Sequence, residues 1–156
     1  MTVRKFRPPN RLAGMIKERG GILAKDAIVA AEAGVESLRE ASLAALDQTI
    51  AEIERRFGKA AEGRESESFE ALYLLSSRII DVGHFVSETG VDKAAVSLCT
   101  LADSLAEAGV WRWDAVDVHL NALRLLRAMG GQLPADQRAA MLEGLYQVSH
   151  HRPDEG

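Results

Sequence analysis

The sequence predicts an all-α protein, an antiparallel four-helix bundle with a basic N-terminal arm and a short C-terminal helix. Three observations predict it. Apolar residues recur at i, i+3, i+4 and i+7 through most of the chain. No segment alternates apolar and polar residues as a half-buried strand would, and β-branched clusters are missing. Glycines punctuate the periodic stretches at short intervals, which suits antiparallel neighbours joined by short turns. The 156 residues suit a single domain.

Residues 1–24 are expected to be an arm. Pro8-Pro9 excludes a helix there, and Gly20-Gly21 breaks any short helix over 10–19. The bundle is expected over 25–149. Its first helix, 25–57, keeps one apolar face through Ile28, Ala31, Val35, Leu38, Ala45, Leu46, Ile50, Ile53 and Phe57, and stops near Gly58. Residues 59–66 are a polar connector. Ser66 is the expected N-cap of the next helix, 67–89, with Glu67 in its first turn and Gly90 as its stop.

That helix shows two faces. Phe69, Leu72, Ser76, Ile79, Gly83 and Val86 form a buried stripe. Ser77, Asp81, His84 and Glu88 fall within roughly 60° of one another beside it. Residues 91–108 follow with Ala94, Leu98, Leu101 and Leu105 inward, and Gly109 ends them. Residues 112–129 carry Trp113, Val116, Leu120, Leu123 and Leu126 inward. Pro134 opens a last helix, 134–148, and residues 150–156 form a loose tail.

Charge is uneven. Residues 1–20 hold six basic residues (Arg4, Lys5, Arg7, Arg11, Lys17, Arg19) against Glu18 alone, whereas the whole chain carries a net −4. An arm lying on its own acidic body is the simpler expectation; a partner or nucleic-acid contact is the sharper one. Only 5% of residues are aromatic, too few for a base-stacking surface, so no nucleic acid is expected as partner. The single cysteine, Cys99, excludes an internal disulfide and a thiolate zinc site. With no apolar leader and no run of about 20 apolar residues, a cytoplasmic protein without membrane contact is expected.

The stretch LYLLSSRIIDVGHFVSETGVDKAAVSLCTLADSL resembles the histidine phosphotransfer (Hpt) domain, in a version found in small alphaproteobacterial proteins, some of them labelled as chemotaxis proteins. Those run roughly as LYxxAHDIKGQGxxFGYPLxxxIGxSLCxLL. Leu72-Tyr73 meets LY, Gly83 meets the second glycine after the histidine, and Ser97-Leu98-Cys99 meets SLC. The resemblance covers residues 72–105 and implies an Hpt-like bundle in two-component or chemotaxis signalling.

The resemblance also locates the departures. The family's phosphoacceptor histidine falls on Ser77, its lysine on Ile80, and the glycine after that lysine on Asp81. A serine phosphate is a stable ester and does not pass its group onward, whereas a phosphoimidazole does. Losing the lysine removes a positive charge near the phosphoryl oxygens. The resemblance therefore implies a non-catalytic module that binds a receiver domain or a histidine kinase, as monomer or homodimer, with no cofactor and no phosphorelay chemistry of its own. Its partner-binding face would be Tyr73, Ser77, Arg78, Ile80, Asp81 and His84, with Ile80 as apolar anchor.

Three other chemistries are weighed against this one. His84 is an alternative phosphoacceptor, two turns past Ser77, but Asp81 and Glu88 beside it would repel a phosphoryl group. A metal-binding bundle could use Asp81, His84 and Glu88, but such sites draw ligands from several helices. Ser77, Asp81 and His84 also hold the residue types of a hydrolytic triad, yet the serine and imidazole stand too far apart. His119 is expected to be half-buried and bonded to a neighbour, Cys99 to be a small packing residue, and Trp111 and Trp113 to pack at a helix start.

Overall fold

The computed structural model describes residues 23–151. The arm expected over 1–24 lies outside them except for its last two residues, and the expected tail lies outside them from Arg152 onward. Among the described residues there are five α-helices and no strand: α1 (Ala24–Phe57), α2 (Phe69–Gly83), α3 (Val91–Ala108), α4 (Trp113–Met129) and α5 (Ala135–His150). The chain divides into two compact units, one ending at Leu38 and one beginning at Arg39.

The described part of the first unit is the opening half of α1. Every residue from Leu23 to Leu38 is exposed. Ile28, Val35 and Leu38, expected on the inward face of a bundle helix, are 59%, 60% and 64% exposed. The stretch is rich in alanine, the best helix former, and is continuous with the rest of α1, so it needs no nucleus of its own.

The second unit is a helical bundle. The buried face of α1 begins at Leu46 and continues through Ile50, Ile53 and Phe57. Gly58 closes the helix, its N–H donating to the Glu54 carbonyl at 2.9 Å. The connector then makes a 3-10 turn over Arg64–Ser66. Ser66 is not the cap of α2: its hydroxyl donates to the Gly63 carbonyl inside that turn. Ser68 is the cap, accepting from the Ala71 N–H at 3.1 Å. Glu67 explains the two-residue delay. Its carboxylate is held by Arg56 through two hydrogen bonds, which leaves its backbone extended rather than helical.

The connector is pinned at its other end too. Arg64 pairs with Asp117 at 2.9 Å and lies over the Trp113 ring at 4.4 Å. Trp111 stacks on Trp113 with centroids 4.4 Å apart and also meets Phe57 and Phe69. These aromatics close one end of the bundle.

α2 buries Leu72, Leu75, Ser76, Ile79 and Gly83; of the expected stripe, Phe69 is only partly buried and Val86 is buried beyond the end of the helix, while Leu75 is an addition. It does not run on to residue 89. It stops at Gly83 and passes into a 3-10 helix over His84–Thr89, where Val86 has non-helical angles (φ −134°, ψ 32°). The Thr89 hydroxyl donates to the Val86 carbonyl at 2.7 Å and stabilises the break. Gly90 then takes a left-handed conformation (φ +82°) that most side chains resist, and α3 begins at once.

α3 is the most enclosed helix. Ala94, Ala95, Leu98, Leu101, Ala102 and Leu105 are buried, and it packs against α2, α4 and α5. Cys99 Sγ lies near the Tyr73 carbonyl, and a Cβ on Gly83 would stand 3.5 Å from the Asp92 backbone. Those two approaches make α2 and α3 antiparallel. Arg124–Glu54 and Arg127–Asp47 join α4 to the later part of α1; as largely exposed pairs they fix orientation more than they stabilise. α5 extends two residues past its expected end at 148, with Leu145 buried and Leu142 and Val148 partly so.

Candidate functional site

The outer side of α2 carries the residues singled out from the sequence. Ser76 and Ser77 are adjacent, yet helical geometry sends them to different surroundings. Ser76 is fully buried, its hydroxyl donating to the Leu72 carbonyl at 2.7 Å. Ser77, one step of about 100° around the helix, is half-buried at mid-helix. Tyr73, Arg78 and Asp81 are exposed on the same helix. Ile80 is partly buried and packs against the core, so it is not the freely exposed anchor expected from the pattern. The exposed apolar side chains of this segment are instead Tyr73 at 39% and Leu74 at 51% on α2, with Phe85 at 43% just past its end. Across the antiparallel pair, Val96 on α3 is 49% exposed.

The polar row is shorter than the spacing implied. His84 caps α2 with helical angles and is exposed, so it keeps its place beyond Asp81. Glu88 lies past the break at Val86 and leaves the row; its carboxylate is 4.0 Å from the Arg39 guanidinium. The triad of Ser77, Asp81 and His84 gains no imidazole within reach of the hydroxyl. Among the described residues, no group of three or more His, Cys, Asp or Glu side chains could hold a metal ion.

A serine–histidine contact does exist elsewhere. Ser97 Oγ lies 2.9 Å from His119 Nε2, and His119 Nδ1 lies 2.8 Å from the Ala115 carbonyl. A carbonyl only accepts, so Nδ1 carries the proton and Nε2 offers its lone pair to the Ser97 hydroxyl. Ser149 on α5 stands 3.2 Å from Ser97. His119 is wholly buried, not half-buried as expected. Burial pushes its pKa below the usual histidine value, against the hydrogen bond to Ala115, and the nearby Arg112 charge pushes the same way as burial.

The pair has the geometry of a general base beside a hydroxyl but not the surroundings of a catalyst. Both groups are buried among three helices, and hydrolytic catalysis needs substrate access and donors for an oxyanion. It satisfies polar groups that would otherwise be orphaned in the core. Its partners lie 22 and 30 residues apart from each other in sequence, so spacing alone could not reveal them. The one available sign was His119 at the edge of an apolar stripe.

Cys99 is no nucleophile. Burial, with the Asp103 charge adding to it, pushes its thiol up to about 11, far from the thiolate range at neutral pH. A cleft between α4 and α5 is lined by Val118, Ala122, Leu125, Met141, Gly144 and Val148, and offers surface but no reactive group.

No protein-family model, no curated protein and no solved structure matches the chain.

Proposed function

We propose that this protein is a non-catalytic docking module of two-component signalling, an Hpt-like antiparallel four-helix bundle that binds a receiver domain or a histidine kinase without carrying phosphate. The reading rests on the resemblance of residues 72–105 to the phosphotransfer domain. One observation carries it further than the sequence could. Ser77, which takes the imidazole's place in that resemblance, is half-buried at the middle of α2, while its neighbour Ser76 is fully enclosed.

The surroundings of Ser77 favour binding over transfer. Tyr73, Leu74, Phe85 and Val96 give the face exposed apolar area, the usual centre of a protein interface. Arg78, Asp81 and His84 give it a polar rim. No lysine stands where the family places one, and Asp81 puts a negative charge beside the hydroxyl. Phosphotransfer through His84 is less favoured, because His84 sits at the end of α2 rather than within it. The reading places the protein in the cytoplasm, as monomer or homodimer. Among the described residues no helix is long and apolar enough to cross a membrane.

The test is titration of the purified protein against the receiver domains and histidine-kinase dimerisation domains encoded with it. Saturable binding to at least one, without transfer of acid-labile phosphate, is the expected result. Absence of binding to all of them removes the proposal.

A further inference from the structure

The opening half of α1 presents an apolar face that no described residue covers. Every residue from Leu23 to Leu38 is exposed. Ile28, Ala31, Val35 and Leu38 recur at steps of three and four, the a and d positions of a heptad. Ile28, Val35 and Leu38 are each more than half exposed. The stripe continues through Ser42 and Ala45, which are only partly buried. A seam of this kind is filled by a second helix.

The flanks of the seam indicate which helix. One edge carries Lys25, Glu32 and Arg39 at seven-residue spacing, positive, negative, positive. The other carries Ala27, Gly34 and Ala41, small residues that let a neighbouring backbone approach. A Cβ built on Gly34 would meet nothing within 4 Å, so that edge is open. An edge of alternating sign is complementary to its own reverse when the two are displaced by one heptad.

Charge then selects among the antiparallel registers that keep a against d. Setting Ile28 against Leu38 of a second copy also sets Glu32 against Glu32 and Lys25 against Arg39, and both contacts repel. Setting Ile28 against Ala31 leaves Leu38 with no described residue opposite. Setting Val35 against Leu38 places Glu32 beside Arg39 twice by symmetry, and Gly34 beside Ala41. Arg39 is available for this: its side chain is 47% exposed and its contact with Glu88 is long, at 4.0 Å.

We propose that the protein forms a symmetric dimer through antiparallel pairing of α1 over residues 28–45, with Val35 on Leu38 and Glu32 beside Arg39 of the second copy. The seam buries on the order of 1,000 Å² over both copies, near the least that a specific interface needs, so it assembles at micromolar concentration. It uses none of the residues of the proposed docking face, so the failure of one reading leaves the other standing.

Sedimentation of the full-length protein from about 1 to about 300 μM tests this. The expected wild-type result is a monomer–dimer equilibrium with a midpoint on the order of tens of micromolar. Val35→Asp/Leu38→Asp should sediment as a monomer throughout, with amide exchange over residues 46–57 unchanged. Glu32→Arg alone and Arg39→Glu alone should each weaken the dimer at least about fivefold at low salt, and the two together should restore it to within about twofold. A wild type that stays monomeric throughout the range overturns the proposal, as does a dimer that survives Val35→Asp/Leu38→Asp. Failure of the double charge exchange to restore pairing overturns it too.

Discussion

Ser97 Oγ and His119 Nε2 lie 2.9 Å apart inside the bundle, and neither side chain is appreciably exposed. The contact joins α3 to α4, and through Ser149 it also reaches α5. The neutral imidazole has both nitrogens satisfied, and burial in the core disfavours the charged ring.

Acid should therefore weaken the protein through this histidine. His119 titrates below its usual value when folded, and near 6.5 when unfolded. Above that value both states are neutral and the group has no effect. As pH falls through it, only the unfolded chain takes the proton, so stability declines until the folded pKa is reached. The slope approaches about 1.4 kcal/mol per pH unit within that window. Urea melts at pH 7.5 and 5.5 should differ more for the wild type than for His119→Asn.

Removing the imidazole altogether is a different perturbation. His119→Ala leaves a cavity and takes away one of the two partners of the Ser97 hydroxyl, and should cost about 2–4 kcal/mol at pH 7.5 by chemical denaturation. Ser97→Ala removes less volume and should cost about half as much. A neutral outcome for both would mean the contact contributes nothing to the fold.

The connector pin was invisible in the sequence, and the reason is instructive. Helical periodicity ranks positions within one element, so the stripes of α2, α3 and α4 were legible from their spacing alone. Arg64 and Asp117 are 53 residues apart, and Glu67 finds Arg56 across a turn; such pairs exist only once the chain has folded. Those same pairs moved the α2 cap from Ser66 to Ser68. The opposite failure occurred in α1, where the apolar face was legible but its burial was not. Periodicity reports that a face needs covering, and cannot tell a bundle neighbour from another partner. In the candidate site, spacing set Ser77 on a different face from Ser76, and the structure leaves it half-buried; the break at Val86 that removes Glu88 was not legible.

Arg64→Ala tests the pin. The guanidinium is mostly enclosed, serves Asp117 and lies over Trp113, so its loss should destabilise by about 1–3 kcal/mol. Trp111 and Trp113 should become more solvated, which a red shift of the emission maximum would report. An unchanged spectrum would mean the stack holds without the cation.

Cys99 should behave as a packing residue. With its thiol raised to about 11 and its side chain buried, it should react with a disulfide reagent at pH 8 far more slowly in the folded protein than in urea. Rapid labelling of the native chain would place the sulfur at the surface and contradict the packing of α2 on α3.

The proposed docking face makes the sharpest distinction between surface and core. Leu74 is half exposed, so Leu74→Glu should leave the melting temperature within a degree or two while weakening partner binding at least about tenfold, the loss expected for an interface centre. Ser77→Ala removes only a hydroxyl and should weaken binding far less, because on the proposed reading the exposed apolar side chains of Tyr73, Leu74, Phe85 and Val96 supply the contact area. Isothermal titration of the two variants against the same receiver domain separates the outcomes. If Ser77→Ala abolishes binding while Leu74→Glu does not, the hydroxyl itself is the recognised group and the apolar ring is not the anchor.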